Sequence, residues 1–206
     1  LSSEMMSSLE QRLNRDAILA RSLEGERAVL GYYDTQERPP QRSGQLPEGL
    51  RLTQAPYPAS QRFGDVPDMT GYASNLAFLM QAAPRGGHIN SYTDSDGMLR
   101  SIPLIVRYPD EGFGYYPSLS LAMFLALMQP QQLHLRPVDP SLPDSSLAGV
   151  ELVQDGATLL LPTARNGSFL IPFKSPGGRH GGHFQYYSAS DLLAGKVPPT
   201  TLKGKI

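Results

Sequence analysis

Apolar residues recur at spacings of three and four near the start of the chain, at Met5, Met6, Leu9, Leu13, Ile18, Leu19 and Leu23. That period predicts helix over residues 3–24, broken near Asn14-Arg15-Asp16, with Asp16 capping a second piece that ends at Gly25. Arg27 to Tyr33 (RAVLGYY) predicts a strand. From Asp34 to Met69 the periodicity fades, and Pro39-Pro40 and Pro56-Tyr57-Pro58 interrupt any regular element. Residues 34–69 therefore read as a long irregular loop region with short strands, a place to look for ligand contacts. Tyr72 to Ala83 predicts a helix, stopped by Pro84 and Gly86-Gly87.

The second half is richer in turn signals. Gly87 to Tyr92 and Met98 to Tyr108 predict a hairpin around Asp94-Ser95-Asp96-Gly97, with Pro103 marking an edge or bulge. Ser118 to Met128 predicts an apolar helix with Ser118 as N-cap, and Pro130 to Leu147 a polar connector. Asp155-Gly156 and Asn166-Gly167 divide Val150–Val153, Leu159–Thr163 and Ser168–Phe173 into a three-stranded meander. After the glycine-rich loop Gly177 to Gly182, His183 to Tyr187 predicts a short strand. Ser188 then opens a brief helix ending at Gly195, with Asp191 at capping-box spacing.

Composition narrows the classes. Charged residues are 18% and the net charge is -1, with no basic block. Nucleic acid is thereby excluded as a partner, because phosphate binding needs a basic footprint. The absence of cysteine fits a periplasmic domain held by its core rather than by disulfides. No apolar run reaches the roughly 18 residues of a membrane span; the longest, Leu119 to Met128, suits a buried helix. No signal-peptide pattern is present.

Three constellations carry candidate chemistry. Asp94-x-Asp96-Gly97 has part of a calcium loop, but the EF-hand register puts Tyr92 and Pro103 where carboxylates are required. A turn whose Asp side chains cap backbone N–H groups accounts for it better. His180 and His183 have His-x-x-His spacing and are candidate metal ligands, though two imidazoles on a glycine loop do not make a zinc site. Lys174 and Arg179 on the same loop are candidates for holding an anion. His88, Asn90 and Arg100 are candidate ligand-binding residues: alternation sets His88 and Asn90 on one strand face, with Arg100 across the turn. Cross-strand hydrogen bonds and a salt bridge from Arg100 to Asp94 or Asp96 are the structural alternative. Ser118 and Ser120 read as caps, no catalytic motif is present, and no cofactor is expected. The tyrosines Tyr32, Tyr33, Tyr57, Tyr72, Tyr115 and Tyr116 are candidates for lining a sugar or peptide groove.

The order of these pieces resembles the CHASE2 family, extracytoplasmic sensor modules of bacterial transmembrane receptors. The likeness rests on Gly87, Asn90, Asp94-x-Asp96-Gly97, Arg100, Pro103-Leu104 and Pro117-Ser118-Leu119-Ser120-Leu121-Ala122. It continues through Tyr186-Tyr187-Ser188, Asp191, Leu192, Gly195, Pro198 and Leu202-Lys203-Gly204-Lys205. It covers residues 70–206 well and 1–35 loosely. The resemblance implies an α/β (mixed α+β) fold, with a central mixed or antiparallel sheet and flanking helices. It implies one sensor domain over residues 1–206, a fragment truncated at its C-terminal end. This would be the periplasmic part of an inner-membrane receptor, answering an unidentified small-molecule or protein signal and doing no chemistry itself. The output would be an adenylate or guanylate cyclase, otherwise a Ser/Thr kinase, histidine kinase or diguanylate cyclase. The helix Ser3 to Leu13 would couple the two sides and offer a homodimer surface. The alternative is a secreted periplasmic small-molecule or sugar-binding protein without an output domain.

Overall fold

A computed structural model of the chain describes Met5 and residues 13–53, 62–109, 114–164, 166–174 and 184–204. The chain divides into two units, Leu1–Leu170 and Ile171–Ile206.

In the first unit, helix α1 (Arg15–Leu23) is capped by Asn14, whose Oδ1 accepts the Ala17 N–H at 3.0 Å. Asp16 lies inside the first turn instead of capping it, where its charge suits the helix dipole. Strand β1 (Leu30–Thr35) starts three residues later than Arg27 and runs past Tyr33. Short β2 (Arg42–Ser43) and β3 (Gly71–Ala73) complete one side of a sheet, and β4 (Gly86–His88) the other, in the order β2-β3-β1-β4. The pairing of β1 with β3 is antiparallel and with β4 parallel.

The helix expected over Tyr72–Ala83 is thus only its second half, α2 (Ala77–Ala82). Strand pairing overrides helix propensity in the first half: Tyr72 N–H bonds Gln41 O and Ser74 N–H bonds Ser43 O, each at 2.9 Å.

The expected hairpin is half right. Its turn forms, with Asp94 N–H to Met98 O and Gly97 N–H to Asp94 O at 2.9 Å. Its flanks do not pair with one another. β4 belongs to β1, while residues 98–108 split into β5 (Ser101–Pro103) and β6 (Ile105–Tyr108). β5 pairs with β11 (Ser168–Leu170), and β6 with β7 (Gly114–Pro117). The switch of partner falls where Pro103 has no N–H to give, and the Leu104 N–H goes to Gly167 O instead.

Helix α3 (Leu119–Met128) is as expected: Leu121 N–H donates to Ser118 Oγ at 3.3 Å. The supposed connector after it holds β8 (Gln132–Pro137), whose Leu133, His134 and Leu135 are buried. Three inward residues in a row defeat a period-two reading. β8, β9 (Leu147–Gln154) and β10 (Ala157–Pro162) form an antiparallel sheet. Asp155 and Gly156 both take positive φ (49° and 80°) between β9 and β10, the geometry a two-residue turn requires. The third meander strand, β11, joins β5 and not β10.

The core has two parts. Phe63, Val66, Leu104, Ile105, Leu121, Leu133, Leu135, Leu147, Val150 and Leu152 form the larger. Tyr32, Met69, Val106, Tyr108 and Tyr116 form the smaller. Strand β6 is the common wall, since Ile105 faces one cluster and Val106 and Tyr108 the other. Full burial of such a side chain stabilises by roughly 1.5–3 kcal/mol. Tyr108 meets Tyr72 and Tyr116 edge-on, with ring centres 5.8 and 5.2 Å apart. Tyr32 and Tyr116 are therefore core residues and do not line an open groove. Mixed α/β character holds, with the strands of the described residues divided among four sheets.

In the second unit, α4 (Ala189–Leu193) and α5 (Pro199–Leu202) are short. The capping box does not form: Ser188 makes no cap bond, and its Oγ lies 2.7 Å from Ser190 Oγ. Among the described residues 184–187 there is no strand.

Candidate functional site

Strand β1 alternates, sending Tyr32 and Asp34 inward. Tyr32 belongs in a core, but an inward carboxylate is expensive to bury unless it is paired. Parallel pairing with β4 sets His88 beside Tyr32. The ladder continues through Ile89 N–H to Tyr32 O at 2.9 Å. Asn90 then takes the place of a strand residue with its side chain. Its Oδ1 accepts the Asp34 N–H and its Nδ2 donates to Asp34 O, both at 2.9 Å. Two residues on, the Tyr92 hydroxyl donates to Asp34 Oδ1 at 2.9 Å and touches Met69 Sδ at 3.8 Å.

The Asp34 and His88 side chains are both 0% exposed, and Asp34 Oδ2 stands 3.5 Å from His88 Nδ1. No hydrogen bond joins the two atoms. Asp34 Oδ2, the Tyr32 hydroxyl and both His88 ring nitrogens have no hydrogen-bond partner, nor does Thr35 Oγ1 on the other face of β1. Unpaired buried polar atoms are rare in native proteins, and the four on the inward face mark this patch out.

Burial pushes the Asp34 carboxyl up to about 6, against the hydrogen bond from Tyr92, which favours the charged form. Burial pushes the His88 imidazole down to about 4. The contact is therefore not an ion pair at neutral pH: an ionised Asp34 faces a neutral imidazole. Between about 4 and about 6 both groups are neutral. Burial, with the Asp34 charge adding to it, also holds the phenols of Tyr92 and Tyr108 above their usual range.

Gly87 and Ser118 of the sequence motif lie beside this patch. A Cβ on Gly87 would lie 2.5 Å from Leu119 Cα and N, so only glycine lets β4 meet the start of α3. His88 and Ser118 form a parallel bridge across that contact. Arg100, in contrast, stays in its own turn. Its Nη1 bonds Asp94 Oδ2 (2.8 Å) and Asp96 Oδ1 (2.9 Å), and its Nη2 bonds Asp96 Oδ2 (2.7 Å). The structure thus brings His88 and Asn90 together on Asp34 and places Arg100 elsewhere. His180, His183 and Arg179 lie outside the described residues. Among the described residues no group of three or more His, Cys, Asp or Glu could hold a metal ion.

Asp34 and Tyr92 were not singled out by their sequence context. The signal was there for Asp34: two residues after Tyr32 in a strand, it must share the inward face. Tyr92 gave none, because its partner is distant in the chain.

A family model described as CHASE2 domain matches residues 2–206. No curated protein and no solved structure matches.

Proposed function

The chain belongs to the CHASE2 family, and on that premise we propose that it is the extracytoplasmic sensing part of a transmembrane receptor. CHASE2 domains are extracellular sensor domains of signalling receptors and have no catalytic activity of their own. The observation that carries the proposal is the family match from residue 2 to residue 206. Among the described residues no helix is long and apolar enough to cross a membrane.

The output is a cytoplasmic adenylate or guanylate cyclase, in preference to a Ser/Thr kinase, histidine kinase or diguanylate cyclase. A small-molecule or protein signal acts by favouring one packing of this domain over another, a population shift passed on through helix position. The segment Ser3 to Leu13 carries the coupling and the homodimer surface. Of it, only the helical, exposed Met5 and Leu13 are described.

The test is to read the full reading frame and fix its topology with reporter fusions. Apolar segments of about 20 residues flanking the chain, with this domain outside the inner membrane, support the proposal. A cleaved leader and no further segment would refute it, and would leave a secreted periplasmic binding protein.

A further inference from the structure

We propose that Asp34 is the proton-receiving group of this sensor, and that its protonation releases Tyr92 and the loop Ser91–Arg100 from strand β1. The inference deepens the sensor reading and rests on it, naming the proton as a signal.

The geometry is that of a latch with a hinge. Asn90 is the hinge: its two hydrogen bonds go to the backbone of Asp34, which does not titrate. Tyr92 is the catch: its one bond to Asp34 goes to the carboxylate. Between catch and β5 the loop is self-contained, because Arg100 ties Asp94 to Asp96. It can therefore swing as one piece. Tyr92 is 41% exposed while Asp34 is 2% exposed, so the phenol spans the distance from solvent to the buried carboxylate.

The arriving proton comes from solvent and bonds to Asp34 Oδ2. There it faces His88 Nδ1 at 3.5 Å, which accepts it when the neutral ring carries its own proton on Nε2. This gives two of the unpaired buried atoms each other as partners. At the same time the Tyr92 hydroxyl loses its charged acceptor, and a charge-assisted hydrogen bond is roughly twice as strong as a neutral one.

The groups facing Asp34 come from every element packed on it. They are Tyr32 of β1, Tyr72 of β3, His88 of β4, Tyr92 of the loop and Tyr108 of β6, with Tyr116 of β7 behind. No Lys or Arg among the described residues acts on Asp34 to hold its charge. Burial accordingly brings its titration to about 6, which external acidification crosses.

The chain has no cysteine, so two can be placed at will. Spin labels at Ser95→Cys in the turn and Thr158→Cys on β10 report the loop position against a fixed strand. On lowering the pH from about 7.5 to about 5, the ratio of released to docked loop should rise roughly 5-fold, from the weakened bond. Tyr92→Phe should give the released distribution at both pH values, and Asp34→Asn should abolish the pH response. An unchanged distance distribution between the two pH values overturns the latch. So does a pH response that survives in Asp34→Asn or, if that variant fails to fold, in Tyr92→Phe. The labels lie on this domain alone. A fixed loop in a proven receptor sinks the latch only, and a titrating loop in a chain without membrane anchors sinks the receptor reading only.

Discussion

Asp34 and His88 make opposite contributions to the pH dependence of stability, and the wild-type protein conceals both. The Asp34 carboxyl rises from 3.8 to about 6 on folding. Its favourable contribution is fully present below 3.8 and is lost as pH rises through about 6. The gap corresponds to about 3 kcal/mol at 1.36 kcal/mol per pH unit. The His88 imidazole falls from 6.5 to about 4. Its contribution is present above 6.5 and is lost as pH falls through about 4, again about 3 kcal/mol.

Over the shared window the folded state holds the proton on Asp34 and the unfolded chain holds it on His88. The number bound is the same, so the pair adds almost no slope. Removing one partner exposes the other. His88→Asn should lose about 3 kcal/mol relative to wild type as pH is raised from about 4 to about 6. Asp34→Asn should lose about 3 kcal/mol relative to wild type as pH is lowered from about 6.5 to about 4. The double variant should again run parallel to wild type.

Urea unfolding at a series of pH values reads this directly. A change of about 3 kcal/mol moves the midpoint by about 1–3 M at an unchanged slope of 1–3 kcal/mol per molar. Comparison with wild type at each pH cancels the surface carboxylates. Single variants with profiles parallel to wild type would refute the reasoning, as would a double variant that keeps either slope.

Other expectations are simpler. Gly87→Ala should destabilise by about 1–3 kcal/mol or more, since the new methyl meets the α3 backbone at 2.5 Å. Gly64→Ala, with open space around it, is the control in the same thermal melts. Asn90→Ala should cost about 2 kcal/mol in chemical unfolding, because it removes two bonds and strands the N–H and C=O of Asp34. Arg100→Ala should barely move the unfolding midpoint, and any effect should vanish in high salt, because its ion pairs are exposed.

What the chain determined by itself is local. Ser118 caps α3, Asp155-Gly156 turns β9 into β10, and Asp94–Gly97 closes its loop, because each depends on atoms only a few residues apart. The motif order that marks the family was legible for the same reason, as spacing along the chain. Strand partnership was not. Residues 98–108 look continuous, yet β5 and β6 belong to different sheets, and β11 turns to β5 instead of its neighbour β10. Periodicity reports which face of a strand is buried but not whose backbone completes its hydrogen bonds. The site shows the limit most clearly. Asp34 and Asn90 are 56 residues apart, and only the parallel crossover from β1 to β4 brings them into contact. An acid in a strand and a histidine in a glycine-rich stretch are ordinary until burial removes water from both. That removal, which sets their titration and leaves polar atoms unpaired, is decided by the tertiary fold.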